Sequence, residues 1–328
     1  MAESIESISI PGLPFPASRI ALGTWAIGGW MWGGPDDDNA IKTVHEALDL
    51  GINLIDTAPV YGFGHSEEVV GKAVEGRRNK VLLATKLGLN WKDGKVFRDS
   101  HPERLRQEVE DSLKRLRTDR IDLIQVHWPD PKVSIGEVAK ILEALRKEGK
   151  VLALGVSNFS VAQLDEFRAE APLAAIQPPY NLFEREIEKD ILPYAKKHDL
   201  VALAYGPLCR GLLSGKMNAD SKFGKDDLRS SDPKFQQPRF GQYLKAVDDL
   251  KTVADRHGKS LLALAIRWIL DRGPTIALWG ARRPAQISGV DEASGWSLSE
   301  QDMREIDEIL TRDIPDPVGP EFMAPPDV

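Results

Sequence analysis

Residues 121–157, "IDLIQVHWPDPKVSIGEVAKILEALRKEGKVLALGVS", read as one structural unit in three parts. The ends, "IDLIQVH" (121–127) and "VLALGVS" (151–157), lack the apolar/polar alternation of a half-exposed strand. They read as strands buried on both faces, the pattern of a parallel sheet. Between them Ile135, Val138, Ile141, Leu142 and Leu145 recur at helical spacing and form the stripe of an amphipathic helix. Ser134 stands where an N-cap is needed and Gly149 where a helix turns off at C′. Strand, helix and strand in this order make a right-handed βαβ unit.

The unit repeats. Apolar runs of the same kind occur at "RIALGT" (19–24), "INLIDT" (52–57), "VLLATK" (81–86), "LAAIQP" (173–178), "LVALAYG" (200–206) and "TIALWG" (275–280), which brings their number to eight. Helical stripes lie between them, as in "PERLRQEVEDSLKRL", where Leu105, Val109, Leu113 and Leu116 share a face. "IEKDILPYAKKH" and "SLLALAIRWILDRG" are further helices. Eight such units close most naturally into an α/β fold of the (β/α)8 TIM-barrel kind. A doubly wound open sheet is the alternative, but no Gly-x-Gly-x-x-Gly follows the first strand. Barrels of this kind reach 328 residues as one domain, and no segment has a linker's composition, so residues 1–328 read as a single domain. Three stretches fall outside the pattern. "SISIPGLPFPAS" suits a small N-terminal hairpin. The polar, turn-rich segment 207–241 after strand seven is too long for an idle connection. The tail "DIPDPVGPEFMAPPDV" is Pro-rich and extended.

Bulk properties narrow the function. A net charge of −7 gives no electrostatic reason to expect nucleic acid or an anionic membrane as partner. The single cysteine, Cys209, excludes an internal disulfide framework and a zinc-like cluster, so no metal is expected and a reducing cytoplasm fits. "MAESIESISI" has neither the basic nor the apolar region of a signal peptide, and no apolar run approaches the roughly 18 residues of a membrane span.

In a TIM barrel the C-terminal strand ends carry the chemistry. Asp56 ends strand two, with Tyr61 in the loop beyond; Lys86 ends strand three and His127 strand four. Each alone has a structural reading as a cap, a rim aromatic or a satisfied polar group. Four of them on consecutive strands make a site, since apolar strands have no packing reason to end in chargeable groups. A neighbouring ammonium lowers the pKa of a phenol, and a carboxylate holds that ammonium charged and oriented. Such a Tyr–Lys–Asp relay gives a proton to an oxyanion forming at a carbonyl, while a histidine donor holds the oxygen in place. The relay supplies no electrons, so carbonyl reduction requires a hydride cofactor. Two other classes stay open on these residues: an aldolase with a Schiff base on Lys86, and a nucleotide-sensing regulatory subunit with little turnover.

The motifs "LIDTAPVYGFGHSEEVVGKA", "ATK", "SLKRLRTDRIDLIQVHWPD", "GKVLALGVSNFS", "IQPPYNLFERE", "YGPLCRGLLSGK" and "LWGARRPAQ" resemble those of the aldo-keto reductases over nearly the whole chain. Within that superfamily the sequence is most similar to the bacterial general-stress branch, to which glycerol dehydrogenase/glyceraldehyde reductase enzymes belong, down to the tail "DPVGPEFMAPP". The resemblance implies that Asp56, Tyr61, Lys86 and His127 are the catalytic tetrad, with Tyr61 the proton donor. It also implies a cofactor, NADP(H). Ser157, Asn158 and Gln177 are expected at the nicotinamide carboxamide, Tyr205 stacked on the ring, Thr24 and Trp25 lining that end, and Asp56 is expected to touch the cofactor as well. Gly206, Pro207, Leu208, Cys209 and Arg210 are expected to cradle the pyrophosphate, with Lys216 and Arg229 folding over the dinucleotide. Gly280, Ala281, Arg282 and Gln286 are expected to face the adenosine ribose, where a guanidinium matches a 2′-phosphate. Gly280, Gly289 and Val290 depart from the lysine, glutamate and asparagine of many eukaryotic relatives, which bears on cofactor preference and not on the chemistry.

Aromatic residues crowd the same loops. Trp25, Trp30 and Trp32 follow strand one, and Trp91 and Phe97 lie in the loop after strand three. Trp32, Trp91 and Trp128 are candidates for a substrate pocket, although loop anchoring explains them too. Cys209 reads as a buried residue of the cofactor loop rather than a nucleophile, and His65 and His101 as features of helix N-termini. The expected enzyme is an NADPH-dependent aldehyde and ketone reductase, reversible toward alcohol oxidation, acting as a monomer on a small-molecule carbonyl.

Overall fold

The computed structural model describes residues 4–326. An antiparallel hairpin, β1 (Ser7–Ile8) with β2 (Ala17–Ser18), comes first. The strands β3 (Ile20–Gly23), β4 (Leu54–Asp56) and β5 (Leu82–Leu87) precede a second hairpin, β6 (Leu89–Lys92) with β7 (Lys95–Arg98). Then come β8 (Ile121–Val126), β9 (Val151–Ser157), β10 (Ala175–Gln177), β11 (Val201–Ala204) and β12 (Thr275–Gly280). Leaving out the two hairpins, these strands form one closed barrel of parallel neighbours in chain order, sealed where β12 pairs with β3. The expected (β/α)8 barrel is the observed one.

The connections carry α1 (Asp37–Asp49), α2 (His65–Ala73), α3 (Pro102–Arg115), α4 (Ile135–Lys147), α5 (Val161–Glu170) and α6 (Ile191–Lys197). Between β11 and β12 there are two helices, α7 (Arg239–Arg256) and α8 (Leu261–Leu270), and α9 (Glu300–Asp313) follows the last strand. In α4 Ile135, Val138, Leu142 and Leu145 are buried, Ile141 is half-buried at the stripe's edge, and Ser134 Oγ accepts from Glu137 N at 3.2 Å, as an N-cap does. Gly149 takes φ 79° just past its end. Among the described residues no helix is long and apolar enough to cross a membrane.

The barrel's two mouths differ. At the N-terminal mouth, Ile10 and Ala17 of the first hairpin pack on inward-facing Leu54, Leu82, Leu123 and Ile276, which closes that end with apolar side chains. The second hairpin replaces what the sequence presents as a loop. Its turn is Asp93-Gly94, at φ 51° and 74°, the residue pair and conformation that join adjacent strands tightly. It stands at the opposite mouth, where polar strand ends collect.

Candidate active site

Strand register brings the tetrad together. Asp56 is opposite Ala84 on β5, Lys86 is opposite Gln125 on β8, and His127 N donates to Leu87 O at 2.9 Å. Tyr61 reaches the same point from the loop after β4. That loop is pinned backbone to backbone against the loop after β3. A Cβ on Gly28 would lie 2.5 Å from Tyr61 O, and one on Gly62 would lie 2.1 Å from Gly28 O, so both positions demand glycine. The close approach stacks Trp25 on Tyr61, ring centroids 6.0 Å apart and 21° between planes.

Lys86 is fully buried and uses three contacts. Its Nζ donates to Asp56 Oδ2 at 2.6 Å, to Thr57 O at 2.9 Å and to Tyr61 Oη at 3.2 Å. An ammonium has three protons, so none is left over. Tyr61 Oη accepts from Lys86, so its own O–H is not spent on that contact. The other Asp56 oxygen, Oδ1, accepts from Gln177 Nε2 at 2.8 Å and Gln125 Nε2 at 3.1 Å. The His127 ring meets Tyr61 edge-on at 5.8 Å.

Protonation follows from these neighbours. Burial alone would pull the Lys86 ammonium down, but Asp56 and then Tyr61 hold it above the ordinary lysine value. Burial pushes the Tyr61 phenol above its usual value, and this outweighs the opposite pull of Lys86. The expectation of a phenol lowered by its lysine is thus corrected, because the same enclosure that brings Lys86 close withdraws the water that phenolate needs. Burial, helped by the Lys86 charge, drives His127 well below 6.5. The site therefore holds a protonated phenol, a charged lysine and a neutral imidazole at pH 7.

The remaining sequence-designated residues ring this group. Thr24 Oγ1 donates to Asp56 O at 3.0 Å and accepts from Ser66, so its side chain belongs to the floor. Ser157 Oγ donates to Gln177 O at 2.7 Å. Asn158 Nδ2 donates to His127 O and Ser157 Oγ, both at 3.0 Å, while its Oδ1 accepts from Tyr205 Oη at 3.0 Å. Asn158 also takes φ 62°, an uncommon conformation that favours Asn among residues with a Cβ. Gln177 is turned down onto Asp56 rather than out.

Beyond β11, Gly206, Pro207, Leu208, Cys209 and Arg210 form the expected loop. Burial pushes the Cys209 thiol up to about 12, which makes it inert. Arg210 differs from expectation: its guanidinium is buried and ion-paired with Glu184 and Asp232, so it is not a free donor toward the cleft. Lys216 is exposed. Arg229 pairs with Asp227 and lies over the rings of Trp32 and Phe223 at 5.8 and 4.5 Å. Arg282 donates to Trp32 O and, at 3.2 Å, to Gly34 O. Burial, then Arg283 and Arg229, lowers it below the ordinary arginine range. Gln286 Oε1 accepts from the amides of Arg282 and Arg283, which shapes the loop that begins at Gly280 and buried Ala281.

The aromatic candidates divide. Phe63 bridges Trp30 and Trp91, at 5.2 and 5.5 Å, and Trp128 packs with Tyr61 against Val60 and Leu89. Trp32 sits edge-on to Trp25 at 5.7 Å and is drawn toward segment 207–241 by a bridge to Asp227. The sequence reading missed Gln125 and Phe63. Gln125 had a signal, a polar residue inside an otherwise apolar strand two positions before His127; Phe63 had none, because its role depends on φ 58° and on two separate loops.

A dinucleotide cofactor fits this mouth. The buried indole nitrogens of Trp25 and Trp32 have no hydrogen-bond partner. The Cα of Gly206 and of Gly280 each face open space where a Cβ would stand. Burial and then the neighbouring guanidinium groups of Arg283 and Arg229 lower Arg282, and a bound anion relieves that crowding of charge.

Comparison with known proteins agrees with the geometry. The sequence model of the Aldo/keto reductase family matches residues 19–311. The chain is 58% identical over 326 residues to the aldo-keto reductase YhdN of Bacillus subtilis, covering 98% of both chains. It is 35% identical to the NADH-specific methylglyoxal reductase of Escherichia coli, over 90% of this chain and 96% of that protein. Among solved structures, the glycerol dehydrogenase AKR11B4 from Gluconobacter oxydans superposes with a TM-score of 0.90 at 63% identity, covering 97% of this chain and 99% of that one.

Proposed function

The chain belongs to the aldo/keto reductase family, and we propose that it reduces small aldehydes, hydroxy-aldehydes such as glyceraldehyde among them, to alcohols with NADPH, and runs the reverse oxidation. The observation that carries this reading is the use of all three Lys86 protons on Asp56, Thr57 and Tyr61, which makes Tyr61 Oη an acceptor there and leaves its own proton to donate elsewhere. The protein acts as one domain, a monomer in the cytoplasm.

When bound, NADP(H) supplies or takes up the hydride. Ser157, Asn158, Tyr205 and Trp25 would hold its nicotinamide end over a floor that Gln177 and Thr24 support from below, and the 206–210 loop its phosphates, with Lys216 and Arg229 above. Arg282, beside Gly280, Ala281 and Gln286, would meet the 2′-phosphate. The chain's own part in the reaction is proton handling. Neutral His127 orients the carbonyl oxygen as a hydrogen-bond donor. Tyr61, protonated at pH 7, gives its proton to that oxygen as charge develops there, and the phenolate left behind is held by Lys86. Asp56 keeps Lys86 charged, and Gln125 and Gln177 keep Asp56 in place. Trp30, Phe63, Trp91 and Trp128 wall the substrate side.

A Schiff base on Lys86 is disfavoured, because an amine nucleophile needs a lowered pKa and this one is raised. The three-carbon substrates in the relatives' names, glycerol and methylglyoxal, support small polyol-derived carbonyls. The test is absorbance at 340 nm with NADPH and separately NADH, against glyceraldehyde, methylglyoxal and an aryl aldehyde. NADPH oxidation fastest with the three-carbon substrates is expected. No oxidation with any of them would overturn the proposal.

A further inference from the structure

Three consecutive residues after β11 run in the left-handed region: Cys209 at φ 45°, Arg210 at φ 55° and Gly211 at φ 89°. Glycine adopts this freely, whereas residues with a Cβ are strained there and persist only where the surroundings over-determine them. The surroundings are a buried four-charge cluster. Arg210 pairs with Glu184 and, at 2.6 Å, with Asp232; Lys234 Nζ lies 2.8 Å from Glu184 and 3.8 Å from Asp232. All four side chains are at most 4% exposed. Two acids balance two cations, so the cluster has no charge left for a ligand and its work is mechanical.

Glu184 comes from the loop after β10, Arg210 from the loop after β11, and Asp232 and Lys234 from the segment before α7. A fourth piece of chain closes the cluster from outside. Lys234 Nζ also donates to Gly319 O at 3.0 Å, Val318 N donates to Tyr243 Oη at 3.3 Å, and the Phe322 ring lies 5.6 Å from the Arg210 guanidinium carbon. The tail thus returns from beyond α9 to cover Arg210, whose own backbone is strained.

We propose that tail residues 318–322 are a positioning element for cofactor affinity. By backing Arg210 they hold the 209–211 turn in the shape that presents the 206–210 loop to a dinucleotide phosphate. The inference rests on the cofactor reading above. The tail touches none of the reacting atoms, so it sets binding and leaves the chemical step alone.

The test uses full-length Phe322→Ala and Phe322→Tyr proteins, and three readouts: NADPH affinity by fluorescence titration, the KM for NADPH against kcat, and amide exchange of residues 207–215 without cofactor. Phe322→Ala is expected to bind NADPH about tenfold more weakly, with a matching rise in KM at little-changed kcat. Exchange in 207–215 should quicken, and Phe322→Tyr, which keeps a ring over the guanidinium, should restore both. Wild-type affinity with wild-type exchange in Phe322→Ala overturns the inference, as does a loss confined to kcat. Failure of the wild type to bind NADPH overturns the cofactor reading instead, while faster exchange in Phe322→Ala would still confirm that the tail supports the turn.

Discussion

At Lys86 one buried cation meets a carboxylate, a carbonyl and a phenol; at Arg210 and Lys234 two buried cations meet two carboxylates. Both clusters sit at the C-terminal mouth of the same barrel, and both exclude water from charge. They differ in what remains unsatisfied. The second is closed, every charge answered within it and the tail laid over it. The first ends in a half-buried phenol whose proton has no partner inside the cluster. A buried ion network is structural when its donors and acceptors close on themselves, and becomes chemical when one donor is left facing a cleft.

The sharpest way to separate the two is to remove the open end of one and a member of the other. Tyr61→Phe deletes the group assigned to protonate the alkoxide, so kcat should fall by about a thousandfold, within the range of a lost general acid. The Tm should hardly move, and NADPH should bind nearly as before. A Tyr61→Phe protein with most of its turnover would break the comparison at its root. Lys234→Met should do the reverse. It leaves Glu184 and Asp232 to share Arg210 in a dry site, and breaking a buried pair typically costs about 3–5 kcal/mol, read as a lower denaturation midpoint. Adding Glu184→Gln should return part of that loss, because the excess negative charge goes with it. If the double variant is less stable by the sum of both changes, the cluster does not act as a charge-balanced unit.

Gln125→Leu sharpens the comparison from inside the reactive cluster. Asp56 Oδ1 would keep Gln177 as its remaining amide donor, and a group that orients a reactive residue is commonly worth ten- to a hundredfold. We expect kcat to fall by about tenfold, far less than for Tyr61→Phe, with KM for NADPH unchanged. Steady-state kinetics at saturating cofactor decides it; unchanged kcat would mean that Gln177 alone fixes Asp56.

How much of this was legible in the sequence varies with distance along the chain. The barrel follows from eight local patterns, each within seven residues of itself, and "LIDTAPVYG", "ATK" and "VHWPD" place the tetrad at strand ends because strand direction is set by local apolar runs. The hairpin at 89–98 is not legible although its Asp93-Gly94 turn stands in the sequence, because alternation over four residues is too short to outweigh a loop reading. Arg210 was misplaced for a different reason. A guanidinium in a cofactor loop reads as a phosphate donor until Glu184, Asp232 and Phe322, 22 to 112 residues away in the chain, are seen around it. The Tyr61 pKa went the same way: proximity to Lys86 can be read from motif spacing, but the enclosure that overrides it is made by side chains from several loops.

His127 supplies the smallest effect. Its imidazole is held well below 6.5 by burial and by Lys86, so the unfolded chain binds the proton that the folded site refuses. Stability from this residue is therefore complete above about pH 6.5 and drains away as pH falls toward the folded pKa. His127→Gln removes the titration and keeps a donor. The wild type should lose Tm relative to this variant between pH 7 and pH 5, while the two curves run parallel from pH 7 to 8. The same refusal keeps the imidazole neutral during turnover, so wild-type kcat/KM for reduction should change less than about twofold from pH 8 to 6, where an imidazole of ordinary pKa would already be mostly charged. A rate profile breaking near 6.5, or a Tm difference that shrinks on acidification, would show that His127 carries a proton in the folded site, and the carbonyl would then be met by an imidazolium rather than a neutral ring.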